Sequence, residues 1–170
     1  MSQNKMIRKS LKFKIFSQED ICPEYINWLN DKKHMKFSRN VLQEHSVESA
    51  IQYLESFRDS KNRFLAIYRD QNLVGTATLY FTPDENSCDI GILIGSNYAG
   101  KGLGLICFQS LIDIAISEYQ VTKITAGTHV DNLRMLSIFH KLGLKEVTGN
   151  SIKHANDLRY FEGSPPTTTE

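Results

Sequence analysis

Residues 88–119 constrain the fold of this chain more than any other segment. They begin with the apolar run CDIGILIG, continue as SNYAGKGLG and end in LICFQSLIDIAISEY, whose apolar residues recur at helical spacing. An apolar run without alternation is typical of a strand in the middle of a sheet. Four glycines within residues 95–104 predict a loop where backbone closely approaches another group, because glycine is costly in regular structure. The segment therefore predicts a central strand, a glycine loop and a helix in succession.

Residues 95–104 can be compared with known glycine loops. The phosphate loop of nucleotide hydrolases matches at Gly95, Gly100 and Lys101, but Gly102 stands where that loop needs a hydroxyl to bind magnesium. In the dinucleotide-binding fingerprint, the third glycine would come one residue after Gly104. A different pyrophosphate cradle at a helix start and a turn that binds nothing both stay open at this point.

The order of strand, loop and helix favours an anion site. The first amide hydrogens of a helix have no partner within the helix, and the helix dipole adds partial positive charge there. Glycine lets phosphate oxygens approach the backbone, and Lys101 can add charge at the rim. We therefore favour a phosphate-binding loop over a plain turn.

The chain of 170 residues is long enough for one domain with a substantial core. We expect a single domain over residues 1–163 and a flexible tail over residues 164–170. The net charge of +1 argues against nucleic acid as a partner, and no apolar run approaches the roughly 18 residues that span a membrane. We expect the N-terminal basic cluster to be a solvated start, and it consists of Lys5, Arg8, Lys9, Lys12 and Lys14.

Cysteine usage and the N-terminus bear on metal binding and location. Cys22, Cys88 and Cys107 have no metal-ligand spacing, so we expect free thiols and no metal site. Free thiols suit a reducing compartment, and the N-terminus lacks the apolar core of a secretory signal. We therefore expect a cytoplasmic protein.

Hydrophobic periodicity predicts an α/β chain with an antiparallel first half and helices inserted later. Strands are predicted at residues 11–17, 63–70, 73–81, 88–95, 121–130, 145–147 and 158–163. Helices are predicted at residues 22–31, 45–60, 105–119 and 132–144. Ser46 is expected to cap the start of the second helix, and Gly143 is expected to end the fourth.

Two short motifs resemble the signatures of the GNAT superfamily of acyl-CoA-dependent N-acetyltransferases. The motif Gln/Arg-x-x-Gly-x-Gly/Ala falls on Asn97, Gly100 and Gly102, with asparagine in place of the usual first residue. The motif Asn-x-x-Ala-x-x-x-Tyr-x-Lys-x-Gly-Phe falls on Asn132, Met135, Phe139, Lys141, Gly143 and Leu144. The resemblance covers residues 13–147. It implies a single-domain α/β fold with a central, mostly antiparallel twisted sheet of about seven strands flanked by about four helices.

The resemblance also implies acetyl-CoA as co-substrate. The strand at residues 90–95 would offer backbone to the pantetheine arm, and the amides of residues 101–104 would hold the pyrophosphate. Asn132 would lie near the coenzyme, after the neighbouring strand. The residues expected to bind the coenzyme are Ile92, Leu93, Ile94, Gly95, Asn97, Gly100, Lys101, Gly102, Leu103, Gly104, Asn132 and Phe139.

The acceptor implied by the resemblance is a small amine. The stretch YINWLNDKKHMKFSRN resembles a segment of the branch that contains ribosomal-protein and sugar-nucleotide acetyltransferases, so a nucleotide-linked amino sugar is the leading expectation. Asn30, Asp31 and Arg39 are candidates to bind it, although Asn30 or Asp31 can equally cap a helix. A protein N-terminal α-amine and a non-catalytic acyl-CoA-binding domain are the alternatives, and a monomer and a homodimer both stay open.

Proton transfer has two candidate residues and one departure from the family pattern. Asp89 lies near the start of the central strand, where relatives often carry a glutamate, and His129 follows the next strand. A carboxylate in solvent and a loop histidine are the plain alternatives for these two residues. Phe139 occupies the position where many relatives have a tyrosine that protonates the leaving thiolate, and it has no proton to donate.

Overall fold

The computed structural model describes residues 3–38, 41–147 and 157–164. The helices are α1 (Gln3–Ser10), α2 (Pro23–Asn30), α3 (Val47–Glu55), α4 (Leu103–Tyr119) and α5 (Leu133–Lys141). The strands are β1 (Leu11–Ile15), β2 (Arg63–Arg69), β3 (Asn72–Thr82), β4 (Ser87–Ile94), β5 (Lys123–His129), β6 (Lys145–Glu146) and β7 (Leu158–Gly163).

All seven strands form one sheet in the order β1-β2-β3-β4-β5-β7-β6. Every neighbouring pair is antiparallel except β4 and β5, which run parallel. Strands β2 and β3 form a hairpin in which Arg69 pairs with Asn72, so Asp70 and Gln71 make a two-residue turn. The expected mostly antiparallel sheet of about seven strands is confirmed, with five α-helices among the described residues instead of about four.

Two apolar clusters cover the two faces of the sheet. Residues of α4 and α5 pack on one face, where Leu65 and Ile67 of β2 contribute to the core. Residues of α2 and α3 pack on the other face against Phe64 and Ala66, the alternate residues of the same strand. Because side chains alternate across a strand, a single strand serves both clusters.

The N-terminal cluster differs from its prediction as a solvated start. Residues 3–10 form α1, whose Ile7 packs against the core on the α4 side. Arg8 forms an ion pair with Asp113 of α4. The two adjacent apolar side chains of this basic segment, Met6 and Ile7, gave too weak a periodic signal to predict this helix.

Helix α4 begins two residues earlier than predicted. Gly102 is its N-cap, with φ of 77°, and Leu103 and Gly104 already lie in the first turn. A Cβ on Gly104 would lie 3.2 Å from Cδ1 of Ile138 on α5, so this glycine permits close packing of two helices. The periodic pattern alone could not separate such a glycine from a loop glycine.

The ends of α3 and α5 follow the predicted caps. Ser46 caps α3 by accepting a hydrogen bond from the Ser49 amide, although α3 ends at Glu55 rather than at residue 60. Gly143 follows α5 with φ of 74° and donates its amide to the His140 carbonyl at 3.0 Å.

No helix in the described ranges is both long enough and apolar enough to cross a membrane. Most of the expected tail, residues 165–170, lies outside the described residues.

A buried carboxylate ties β1 to β2. Asp20 is 2% exposed, and its Oδ1 lies 2.8 Å from Lys14 Nζ and accepts a hydrogen bond from the Tyr68 hydroxyl at 2.6 Å. Its Oδ2 accepts from the amide and the hydroxyl of Ser17 at 2.8 and 3.0 Å. Burial alone would raise the pKa of Asp20, but the hydrogen bonds from Lys14, Tyr68 and Ser17 hold that pKa below its ordinary value.

This lowered pKa predicts a pH-dependent contribution to stability. A carboxylate whose pKa is lower in the folded state stabilises the fold above its unfolded pKa of about 3.9 and loses that effect as the pH falls through its folded pKa. Asp20→Asn should therefore lower the free energy of unfolding at pH 7 by about 1–3 kcal/mol. The deficit relative to wild type should shrink below about pH 4.

Urea denaturation at pH 7, 5 and 3.5 measures this difference. The matched control is Glu55→Gln, because Glu55 forms an exposed ion pair with Arg58 one helical turn away and should contribute little. A deficit of Asp20→Asn that stays constant across the three pH values would contradict the assignment.

Candidate functional site

Strands β4 and β5 are paired over only three residues. Their parallel ladder joins Ser87, Cys88 and Asp89 to Lys123, Ile124 and Thr125 and then ends. Beyond that point β4 stays paired with β3, and β5 stays paired with β7. The peptide groups of residues 90–94 that point toward β5 therefore have no strand partner in the described part of the chain. We call this opening the β4–β5 gap.

Such a gap needs a partner, because unpaired backbone groups inside a protein cost free energy comparable to a lost hydrogen bond. An extended ligand with amide groups can supply the missing hydrogen bonds in the way that an added strand does. Ile90, Ile92 and Ile94 of β4, beside the gap, pack in the core on the α4 side of the sheet, so that side of the gap is covered.

The glycine loop, residues 95–102, follows β4 directly. Gly100 and Gly102 have φ of 79° and 77°, in the left-handed region that favours glycine. A Cβ on either residue would meet no atom within 4 Å, so the loop surface there is open. No side chain caps the start of α4. The first-turn amides of this 17-residue helix are therefore available to an anion.

The glycine loop is attached to α2. Gly95 lies directly against the indole of Trp28, so a Cβ at residue 95 would overlap that ring. Trp28 also packs edge-on to Tyr98 with ring centroids 6.2 Å apart. Asn97 Nδ2 donates a hydrogen bond to Glu24 Oε1 at 3.2 Å. The loop's own Lys101 Nζ donates to the Asn97 carbonyl, also at 3.2 Å.

A cavity of about 550 Å³ lies on the opposite side of β4 from α4. Its floor is the backbone of β4 at Gly91, Ile92 and Leu93, next to the β4–β5 gap. A Cβ on Gly91 would lie 2.5 Å from the Thr78 hydroxyl oxygen, so that glycine keeps the floor open. We call this space the α2–α3 cavity. The polar side chains in its lining are Tyr25, Ser38, Gln43, His45, Ser49, Gln52, Tyr53, Ser56, Thr76 and Thr78.

The sequence did not predict that α3 contributes side chains to this cavity. Ser49, Gln52, Tyr53 and Ser56 line it and recur at the i, i+3, i+4 and i+7 positions of one helix face. That polar stripe is visible in the sequence, but its spacing alone does not show what it faces. Only the sheet register shows that the stripe faces β4.

The predicted acceptor residues Asn30 and Asp31 lie between α2 and the cavity-lining segment. Asn30 Nδ2 donates to the carbonyls of Ile26 and His45, and Asn30 Oδ1 accepts from the His45 amide at 2.8 Å. Asp31 Oδ1 accepts from the amides of Lys33 and His34. These contacts hold the backbone around the end of α2, and acceptor binding by either residue stays a prediction. Arg39 lies outside the described residues.

The two candidate bases lie apart from the cavity lining. Asp89 sits at the last pairing position of β4 and β5, where its Oδ2 accepts a hydrogen bond from the Thr125 hydroxyl at 3.0 Å. His129 ends β5, and its Nδ1 accepts from the Asp131 amide at 3.1 Å. The His129 ring stacks on Phe37 with centroids 5.4 Å apart. The structure does not bring the two residues together, and their catalytic roles stay predictions.

Asn132 begins the second motif, and Phe139 stands at the tyrosine position of that motif. Asn132 caps α5, because its Oδ1 accepts from the Met135 amide, while its Nδ2 donates to the Thr128 hydroxyl at 2.9 Å. Phe139 is 1% exposed and packs against Phe108 and Phe161 in the core. The ring of Phe139 thus serves packing in this structure, and its contact with a coenzyme stays a prediction.

Within the part of the chain that the structure describes, no group of three or more histidine, cysteine or acidic side chains is placed to hold a metal ion. Burial raises the pKa of the Cys88 and Cys107 thiols to about 12, so neither is a reactive thiolate. The site therefore consists of a backbone gap, an anion-binding loop and an adjacent polar cavity.

Solved structures with the same architecture include several acetyltransferases. A spermidine N-acetyltransferase from Vibrio cholerae, in complex with CoA and spermine, is 16% identical with a TM-score of 0.80 over 92% of this chain and 96% of that chain. A ribosomal-protein alpha-N-acetyltransferase in complex with coenzyme A is 11% identical with a TM-score of 0.79 over 93% and 96%. A microcin self-immunity acetyltransferase in complex with acetyl-CoA and AMP is 15% identical with a TM-score of 0.76 over 92% and 93%.

The comparison with curated proteins gives no match to this sequence. The sequence profile of the acetyltransferase (GNAT) domain matches residues 11–145, which include the sheet through the start of β6, the glycine loop and both signature motifs. With this match over most of its length and the GNAT architecture of its sheet, the chain belongs to the GNAT acetyltransferase family.

Proposed function

We propose that this protein transfers the acetyl group of acetyl-CoA to the amine of a nucleotide-linked amino sugar. The family and its solved members support an N-acetyltransferase with acetyl-CoA as co-substrate. The observation that carries the proposal is the α2–α3 cavity, which meets the β4–β5 gap along the backbone of β4. A thioester in the gap and an amine in the cavity would face each other across that strand.

The coenzyme is proposed to bind in two places. The pantetheine amides would pair with the peptide groups of residues 90–95 in the β4–β5 gap. The pyrophosphate would bind the amides of residues 101–104, supported by the two left-handed glycines and the uncapped start of α4. Lys101 is exposed beside this loop and can add positive charge. Ile92, Leu93 and Ile94 would contact the arm through their backbone, as expected from the sequence.

The acetyl transfer needs mainly the correct placement of the amine and the thioester, and backbone amides near the reacting carbonyl. The neutral amine attacks the thioester carbonyl, the carbonyl oxygen becomes an oxyanion, and the sulfur leaves as a thiolate. Unpaired amides of β4 beside the gap can stabilise the oxyanion. Alignment of the two reactants on one rigid strand would lower the barrier by about 7 kcal/mol. Since Phe139 offers no proton, water is the donor to the thiolate in this proposal.

The lining of the cavity favours an acceptor whose enclosed part is polar and uncharged. Among its described lining residues there is no aspartate, glutamate, lysine or arginine, and the polar groups are hydroxyls, amides and one imidazole. A polyamine carries several positive charges, whose transfer into a site without carboxylates would be costly. A sugar ring instead needs hydrogen-bond donors and acceptors of the kind that these side chains provide.

A lysine-rich segment accompanies the cavity and supports a phosphate-bearing acceptor. Lys32, Lys33 and Lys36 are exposed, and they flank Met35, which lines the cavity. This segment belongs to the stretch that resembles amino-sugar members of the family, so the assignment to the ribosomal-protein and amino-sugar branch is part of the proposal. A diphosphate at the mouth of the cavity would lie near these lysines.

The coenzyme placement predicts a charge-specific defect at Gly102. Asparagine and aspartate share the same shape and carry a similar backbone penalty of about 1 kcal/mol at positive φ. Only aspartate places a carboxylate against the pyrophosphate and over the first-turn amides of α4. Gly102→Asp should therefore weaken acetyl-CoA binding at least about tenfold more than Gly102→Asn. Calorimetry gives the affinities, and thermal melts should be alike; equal affinities for the two variants would show that the loop is not the pyrophosphate site.

The acceptor proposal is tested with an amine panel. Thiol release from acetyl-CoA is measured with a UDP-linked amino sugar, glucosamine, spermidine and a peptide with a free N-terminus. The UDP-linked amino sugar should give the highest kcat/KM. In the double variant Lys33→Ala/Lys36→Ala its KM should rise about three- to tenfold, because each exposed charge contact contributes up to about 1 kcal/mol.

The matched control is Lys145→Ala, an exposed lysine on the edge strand β6 that should leave KM unchanged. Glucosamine lacks the diphosphate, so its KM should be the same for the double variant and the wild type. Preferred turnover of spermidine or of the peptide would refute the sugar-nucleotide assignment while leaving the acetyltransferase activity intact.

A further inference from the structure

His45 lies on the wall of the α2–α3 cavity, between α2 and α3. Its Nε2 is shielded from bulk water and has no hydrogen-bond partner among the described residues. A buried polar atom left without a partner costs about 1–3 kcal/mol. After a rotation of the ring toward the cavity, an N–H group of a ligand would supply the missing contact and remove that cost.

The backbone of His45 is held on both sides by one side chain. Asn30 Nδ2 donates to the His45 carbonyl at 2.7 Å, and the His45 amide donates to Asn30 Oδ1 at 2.8 Å. The next residue, Ser46, starts α3 through a capping box with Ser49. His45 is thus anchored to the end of one helix and the start of another, which limits the positions of its ring.

The other ionisable groups in the described cavity lining cannot accept a proton at neutral pH. They are the phenols of Tyr25 on α2 and Tyr53 on α3. Burial raises the pKa of Tyr25, and burial together with the nearby Tyr80 hydroxyl raises the pKa of Tyr53. Both phenols therefore stay protonated. Glu44 and Glu48 flank His45 along the chain and are exposed outside the lining.

The two bases expected from the sequence are placed less well for an amine in this cavity. Neither Asp89 nor His129 is part of the lining. The carboxylate of Asp89 accepts a hydrogen bond from the Thr125 hydroxyl on the neighbouring strand. The Nδ1 lone pair of His129 is occupied by the Asp131 amide. Histidine is the side-chain type that changes charge between about pH 5 and 8, which suits proton transfer near neutrality.

We propose that His45 is the general base of the acetyl transfer, an assignment that rests on the proposed function. The amine lone pair forms the N–C bond to the thioester carbonyl carbon while the C=O electron pair moves to oxygen. His45 Nε2 accepts the N–H proton of the attacking nitrogen. The oxyanion then re-forms the carbonyl, the C–S bond breaks, and its electron pair leaves on sulfur. Asn30 acts as a positioning residue through the backbone of His45.

The test replaces the imidazole by an amide that keeps a polar group but accepts no proton near neutrality. His45→Gln should lower kcat about 100-fold or more, because general base catalysis contributes 10²–10⁴-fold. The acid limb that His45 imposes on the pH profile of kcat should disappear, while the Kd for acetyl-CoA stays within about twofold. The kcat is measured with the amine of the panel that gives the highest turnover. Hydrolysis of acetyl-CoA is measured in parallel without an amine.

His34→Gln is the matched control. His34 also has a buried Nε2 without a partner among the described residues, in the same inter-helix segment, but it does not line the cavity. It should keep the wild-type profile. The assignment is overturned if His45→Gln keeps wild-type kcat or its acid limb, or if both histidine variants lose activity equally. Absence of thiol release by the wild type, with water and with every amine, would instead overturn the proposed function and this assignment with it.

Discussion

The separation of β4 from β5 is the constraint on which the rest of the site depends. The two strands pair at only three positions, and each then follows its other neighbour. The sheet therefore has unpaired backbone at its centre, where a protein normally keeps none. Apolar residues of β4 pack in the α4-side core beside this opening, and the α2–α3 cavity borders β4 on the other side. An extended, amide-bearing molecule restores the hydrogen bonds that the strands no longer make.

The glycines at the end of β4 and after it serve different physical purposes. Gly95 allows the Trp28 indole of α2 to lie on the backbone, whereas Gly100 and Gly102 adopt left-handed backbone on an open surface. Gly91 leaves room for the Thr78 hydroxyl on the cavity floor. In the proposed function, β4 would form the floor of the acceptor cavity and one wall of the coenzyme gap, and Gly95 directly after it lies against Trp28 of α2. In the proposed function, this shared backbone would align a bound thioester with a bound amine, and His45 would accept the proton of the amine.

Local patterns were sufficient for the parts of the fold that depend on a single segment. The apolar run before the glycine loop predicted the central strand, and Ser46 and Gly143 predicted helix ends because caps are local interactions. The cavity was not predictable in this way, since it depends on which face of α3 meets β4. The contact of the Asn30 amide with the backbone of His45, fifteen residues away, was likewise not predictable from a local pattern, while acceptor binding by Asn30 stays a prediction.

Hydrogen exchange with and without acetyl-CoA tests the central claim most directly. The claim is that the coenzyme completes the backbone of β4 and the start of α4. Single-residue mass spectrometry should show slower exchange on binding for amides of residues 90–94 that face β5 and for the first-turn amides of α4. Amides of β2, already paired on both sides, should be unchanged. Protection confined to other elements, with residues 90–94 and the α4 start unaffected, would contradict the role of the β4–β5 gap.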